Sequence, residues 1–241
     1  AGNYIIVSHM KIERTDVAII GGGYYGAFVA NEIKSQQPGL DVTILEKEDR
    51  PFMQASSTNQ GQFHMGYFYS GDPELGHECV KNMEKFSNTF GAAVDGDVTS
   101  YYAVHKDSNY SADEYAGFCD SLGLPLRVVE DRPKGLFSAD ITTAFATAEK
   151  TFNSARLQNI FLERLSVNGV RLETGFEVNR VAEGRNGLQV IGANQIVEAD
   201  RIFNVTFADI NGLHERSDLP KIPVKNDTML HFILGLPDGF E

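Results

Sequence analysis

The apolar positions of this chain fall into short runs broken by glycine, proline and asparagine, and the first runs organise the rest. Residues 16–20 (DVAII) form an uninterrupted, β-branched stretch that predicts a buried parallel strand. Residues 27–33 are small and apolar on one side and run out at Pro38-Gly39, which predicts a helix. Residues 41–45 (DVTIL) predict a second strand. Asp72-Pro73-Glu74 is a helix start, because Asp caps, Pro fits the first turn and Glu favours the positive end. Leu75, Cys79, Met83, Phe86 and Phe90 then form one stripe that predicts a core helix stopped by Gly91. Ser111 is expected to cap a helix facing inward through Tyr115, Phe118, Cys119 and Leu122, ended by Gly123. Asn153 or Ser154 caps another, with Leu157, Ile160, Phe161 and Leu165 inside and Asn168-Gly169 closing it.

Further strands are expected over 98–105, 126–129, 170–173, 200–205 and 228–234. Between them, 177–182, 188–191 and 195–198 are separated by GRNG and GAN turns, which is hairpin chemistry and predicts an antiparallel meander. A β-α-β opening, a mixed block, a later helix, a meander and a returning strand imply an α/β fold. A Rossmann-like nucleotide-binding domain with a three-stranded meander is interrupted by a smaller α+β domain. The expected boundaries are 12–94 with 150–210 for the first domain, and 95–149 with 211–241 for the second. Ser8-His9-Met10 resembles a cloning remnant, so the fold is expected to begin near Ile12.

Composition changes this picture in two ways. The net charge of −12 disfavours nucleic acid and anionic membrane surfaces as partners, so an anionic substrate would need a local Arg or Lys cluster. Cys79 and Cys119 stand outside any metal-ligand spacing and on apolar helix faces, which predicts buried free thiols, a reducing cytoplasmic setting and no metal. No apolar run approaches the roughly 20 residues of a membrane span, and residues 1–10 lack the basic region of a signal peptide.

The chemistry begins at Gly21, Gly23 and Gly26, a G-x-G-x-x-G placed where the first strand turns into the first helix. The first glycine permits the tight turn, the second lets backbone approach a pyrophosphate, and the third lets helix pack on strand. The pyrophosphate would rest on the helix N-terminus. Glu46 ends the second strand about 20 residues on, where an acid accepts hydrogen bonds from ribose hydroxyls and disfavours a 2′-phosphate. A second informative stretch, residues 56–69 (SSTNQGQFHMGYFY), mixes hydroxyls, amides, glycines, a histidine and aromatics without a period. That composition suits a loop wrapped around a flat polar ligand.

These residues resemble the D-amino-acid oxidase-like superfamily of FAD-dependent oxidoreductases. Residues 59–69 look most like the N-S-G-x-x-H-x-G-x-Y-Y loop of the L-2-hydroxyglutarate dehydrogenase group. The resemblance covers 16–90 well and 153–209 loosely. It implies FAD as cofactor, with Gly21, Gly23 and Gly26 at the pyrophosphate and Glu46 at the ribose. Ser57, Asn59 and Gly61 would line the pyrophosphate and flavin, and the Val178 backbone would meet adenine. Thr206 and Phe207 would lie near the pyrophosphate. His64 would sit by the isoalloxazine, either as the base that takes a substrate proton or as a residue that only holds the loop or the flavin.

The implied activity is oxidation of a C–H next to an OH or NH of a small acid, a 2-hydroxy acid or an amino acid, with hydride passing to the flavin. A small-molecule carboxylic acid is the expected substrate, with Arg127, Arg132 and His105 as candidates to hold it. An NAD enzyme, a flavoenzyme acting on a sugar or RNA, and a non-catalytic nucleotide-binding module share the opening motif and stay open. The superfamily closes its FAD site with a later glycine-rich segment that is not found after Phe207, so the chain is expected to be an incomplete catalytic unit.

Overall fold

The computed structural model describes residues 11–96, 99–130 and 137–225. The chain divides into two compact units, one of Ala1–Asn59 with Gln158–Glu241 and one of Gln60–Leu157.

The chain opens on β1 (Lys11–Ile20), α1 (Tyr24–Gln36) and β2 (Val42–Leu45). β1 is twice the length that its apolar half suggests, because its first residues are polar and exposed yet still hydrogen-bonded. α1 likewise extends beyond its apolar stretch at both ends. Thr15, fully buried, donates to the Asp41 carbonyl oxygen at 2.8 Å and so pins the entry to β2 against β1.

The second unit follows with β3 (Gln62–Phe63), α2 (Pro73–Phe90), β4 (Val94–Asp95), β5 (Ser100–His105) and α3 (Ala112–Ser121). It ends with β6 (Leu126–Val128), β7 (Ile141–Thr147) and β8 (Lys150–Phe152). Its strands make two small sheets, ordered β3-β8-β4 and β5-β7-β6, every pairing antiparallel. Phe63, Met65, Tyr67, Tyr115, Cys119 and Phe145 form the core between them. Asp72 caps α2 through the Leu75 N–H, as its sequence predicts. The helix is a cover rather than a core element. Val80, Met83 and Phe86 pack inward, but Leu75 is exposed, Cys79 is half-buried, and only Gly76 and Phe90 are buried. Gly91 ends the helix without turning left-handed, since its φ of −54° leads into a 3-10 turn over Gly91–Ala93. α3 carries a full capping box between Ser111 and Glu114.

The chain continues through α4 (Ser154–Val167), capped by the Asn153 side chain on the Arg156 N–H. Leu157, Phe161 and Leu165 are buried, while Ile160 is only half so. Then come β9 (Arg171–Glu173), β10 (Arg180–Gly184), β11 (Gly187–Ile191), β12 (Gln195–Asn204) and α5 (Ile210–Arg216). The large sheet of the first unit runs β10-β11-β12-β1-β2-β9, parallel from β12 to β9 and antiparallel through the meander. The last meander strand and the returning strand, expected as separate elements, are one strand. β11 pairs with its first half and β1 with its whole length. Polar Glu198, Asp200 and Arg201 interrupt the apolar run without interrupting the ladder. Arg14 on β1 meets Asp200 at 2.6 Å. The strand expected over 228–234 and Arg132 lie outside the described residues.

Candidate active site

The turn after β1 is closed from three sides. Gly21 has φ +114°, and a Cβ there would lie 2.8 Å from the Val205 carbonyl oxygen, so a side chain is excluded by conformation and by space. A Cβ on Gly26 would lie 2.0 Å from the Gly21 carbonyl oxygen, which is the close helix-on-turn packing expected of the third glycine. Gly23 is the N-cap of α1 and offers no side-chain cap. Ser56 supplies it instead, its hydroxyl accepting from the Tyr24 N–H at 3.1 Å. Ser57, expected to line the pyrophosphate and flavin, is exposed, and its hydroxyl donates to the Met53 and Gln54 carbonyl oxygens of its own turn. Asn59 donates to the Ser56 carbonyl oxygen at 2.7 Å and so holds that turn.

Glu46 is buried at the end of β2. One carboxylate oxygen accepts from the Gly22 N–H at 2.6 Å and the other from the Glu48 N–H at 2.9 Å. The carboxylate therefore stands fixed against the glycine turn, and each oxygen keeps a lone pair for another donor. Gly22, the variable position of the motif, is constrained by this arrangement, since a Cβ there would lie 2.8 Å from the Glu46 oxygen. Val178 is buried in the core cluster with Ala18, Ile20 and Leu45, and it precedes the meander rather than belonging to its first strand. Thr206 is half-buried and donates to Asn204, and Phe207 is exposed with φ +55°. Both follow Val205, whose carbonyl faces Gly21, so they stand beside the glycine turn. A turn without side chains, a helix start and a fixed acid fit the adenosine and pyrophosphate of a dinucleotide.

In the second unit, Gly61 has φ +65° and a Cβ there would lie 2.8 Å from the Phe152 carbonyl oxygen; its own carbonyl accepts from the Phe152 N–H. That bond anchors the loop to β8 just before His64. The His64 ring is about one-third exposed, tilted against Phe68 and edge-on to Tyr69. It borders a groove of about 340 Å³ between the loop and α2, lined by Phe63, Cys79, Met83 and Phe86 among others. Burial raises the Cys79 thiol above its ordinary value, which argues against a reactive thiolate. His64 Nδ1 is buried and, among the described residues, has no hydrogen-bond partner. It faces Glu149 Oε1 at 4.0 Å.

Glu149 is the residue that sequence reading missed. It is 1% exposed, between β7 and β8, and accepts from the Met65 N–H at 3.1 Å and from the Tyr102 hydroxyl. Burial first, and then the bond to Glu149, raise the Tyr102 hydroxyl well above its ordinary value, so it stays protonated and donates. Arg127 and His105 are both exposed. Among the described residues no group of His, Cys, Asp and Glu could hold a metal, and no helix is long and apolar enough to cross a membrane.

Parallel sheet, glycine turn and fixed acid define a Rossmann-type dinucleotide-binding protein. The family described as "DAO: FAD dependent oxidoreductase" matches residues 16–231, and the chain belongs to that family. One component of the anaerobic glycerol-3-phosphate dehydrogenase of Haemophilus influenzae is 25% identical over 212 residues, covering 86% of this chain and 37% of the relative. Mitochondrial L-2-hydroxyglutarate dehydrogenase of Nematostella vectensis is 36% identical over 81 residues, covering 32% of this chain and 18% of the relative. Among solved structures, glycine oxidase from Geobacillus kaustophilus matches with TM-score 0.67 and 17% identity, over 85% of this chain and 58% of that one. L-α-glycerophosphate oxidase from Mycoplasma pneumoniae, with FAD bound, matches with TM-score 0.65 and 16% identity, over 86% and 57%. At these identities the structures show the shared fold. The chain spans less than two thirds of each of these relatives.

Proposed function

We propose that this chain carries the FAD-binding domain and part of the substrate domain of an FAD-dependent dehydrogenase or oxidase. Its substrate is a small carboxylic acid with a C–H next to an OH or NH. In this reading the first unit holds the cofactor, with the α1 N-terminus and Ser56 at the pyrophosphate and Glu46 at the ribose. The acid at that position favours FAD over a 2′-phosphorylated ligand. Bound FAD supplies a two-electron acceptor for the hydride that leaves the substrate carbon.

The protein's own part is to orient the substrate and take its remaining proton. As the C–O bond becomes C=O, the hydroxyl proton passes to a ring nitrogen of neutral His64. The observation that supports this role is the buried Nδ1 edge of His64 against Glu149, which leaves the rest of the ring to work. The named substrates of the two relatives, glycerol-3-phosphate and L-2-hydroxyglutarate, both carry hydroxyls, and we favour a hydroxy acid over an amino acid. Two free thiols support a cytoplasmic setting.

The test is anaerobic. The protein reconstituted with FAD is mixed with L-2-hydroxyglutarate, glycerol-3-phosphate or neutral amino acids, and the flavin absorbance is followed. Bleaching by a hydroxy acid is the expected result. Bleaching by glycerol-3-phosphate alone or by amino acids alone would overturn the substrate class, and tight NAD binding without flavin would overturn the cofactor.

A further inference from the structure

We infer that Glu149 is a positioning residue that fixes the tautomer of His64, holding the proton on Nδ1 so that Nε2 carries the lone pair that receives the substrate proton. The inference deepens the reading of His64 as the base and rests on it for its kinetic consequence, though not for the tautomer itself.

The geometry carries it. Only one edge of the imidazole is buried, and that edge presents Nδ1. Across from it, at 4.0 Å, stands Oε1 of a carboxylate with no solvent exposure. A lone pair on Nδ1 would face a negative oxygen in a low-dielectric interior, whereas an N–H there is attracted to it even before a hydrogen bond closes. The carboxylate cannot turn away to avoid the ring. Oε1 is held by the Met65 N–H and Oε2 by the Tyr102 hydroxyl. Its backbone is held as well, by Ser100 on the Glu149 carbonyl oxygen at 3.0 Å. Both oxygens act as acceptors, which is how an ionised carboxylate bonds. Burial keeps the Tyr102 hydroxyl protonated, so it has a proton to donate to Oε2.

Other groups around the ring do not compete for Nδ1. Tyr69 and Phe68 present ring edges and faces, and Glu78 and Cys79 border the groove from α2. A buried histidine nitrogen with a carboxylate behind it is the arrangement by which a second group selects which ring nitrogen is free. Glu149 also explains why the chain keeps a charged residue at a site that is otherwise aromatic and apolar.

The experiment uses the full chain with FAD added and ¹⁵N-labelled histidine. Long-range ¹H–¹⁵N spectra are recorded at a pH where His64 is neutral, and its signals are identified by their loss in His64→Asn. The expected result is the Nδ1–H tautomer in the wild type. Glu149→Gln should lower the ratio of Nδ1–H to Nε2–H roughly tenfold, the scale of losing charge assistance from one contact. An Nε2–H ring in the wild type overturns the inference whatever the kinetics, as does an unchanged ratio in Glu149→Gln. Should Glu149→Gln fail to fold, Tyr102→Phe keeps the carboxylate and should keep Nδ1–H; loss of that tautomer there overturns the assignment.

In the kinetic arm, Glu149→Gln should slow flavin reduction about tenfold in the wild-type background and not at all in a His64→Ala background. If the tautomer behaves as stated while His64→Ala reduces flavin normally, the base reading falls and the pairing stands.

Discussion

A carboxylate that binds a ribose must be held still and yet retain bonding capacity, and Glu46 meets both conditions. Its two backbone donors fix the side chain, and each oxygen keeps a lone pair for a further donor. Glu46→Ala should therefore weaken FAD binding by roughly 1.5–3 kcal/mol, the worth of charge-assisted bonds, measurable by flavin fluorescence titration. Ser56 and Ser57 are adjacent hydroxyls with opposite duties, one on the Tyr24 N–H and the other inside its own turn. Ser56→Ala should cost FAD affinity about 0.5–1.5 kcal/mol while Ser57→Ala leaves it within error; equal losses would show that the two are not distinguished by function. His64→Ala should lower the rate of flavin reduction by about 10²–10⁴-fold with little change in FAD affinity. Stopped-flow flavin reduction and a flavin fluorescence titration measure the two effects. At this scale sequence pattern is a partial guide. It singles out Glu46 by its distance from the glycines and His64 by its loop, but two neighbouring serines look alike in it. Glu149, followed by Lys150, looks like an ordinary surface charge, and its donors Met65 and Tyr102 lie far away in the chain.

Elements are readable where local chemistry defines them. The capping box of α3 is such a case, with Ser111 and Glu114 each bonding the other's backbone N–H. Ser111→Ala should cost about 1 kcal/mol of stability, seen as a lowered urea midpoint at constant slope. The same bonds to Ser111 lower the Glu114 carboxyl below its ordinary value. A lowered carboxyl stabilises the fold above the unfolded value, and that contribution is lost as pH falls through the folded one. The difference between wild type and Ser111→Ala should therefore shrink in acid. Elements become unreadable where distant partners define them. β7 carries Ile141 and Phe145 among small Ala and Thr residues, too weak a pattern to predict a strand, yet it is the centre of its sheet between β5 and β6. The first half of β1 and the middle of β12 are polar, and only their mutual ladder makes them strand.

At the scale of the whole molecule, the two units differ in how their chain is used: one is a single stretch, the other is assembled from both sides of it. β1 sits between β2 and β12, and the pairing of Lys11 with Gln195 and of Ile20 with Asn204 joins residues nearly the whole described chain apart. This has a consequence for the order of events at the ribosome. When residues 60–157 have emerged, every strand partner of their two sheets has emerged too, and that unit can fold while synthesis continues. β1 and β2 must meanwhile wait with one edge of β1 unpaired until β12 arrives, and an unpaired apolar strand edge is what chaperones and aggregates both recognise. Stalled nascent chains ending soon after residue 157 should already protect the second unit from protease, while β1 gains protection only once β12 has cleared the exit tunnel. Protection of β1 in the shorter chains would show that the glycine turn and β2 suffice without it. The six-stranded sheet is thus a late product of translation, and the nucleotide site built on it cannot exist before the strand that closes it is made.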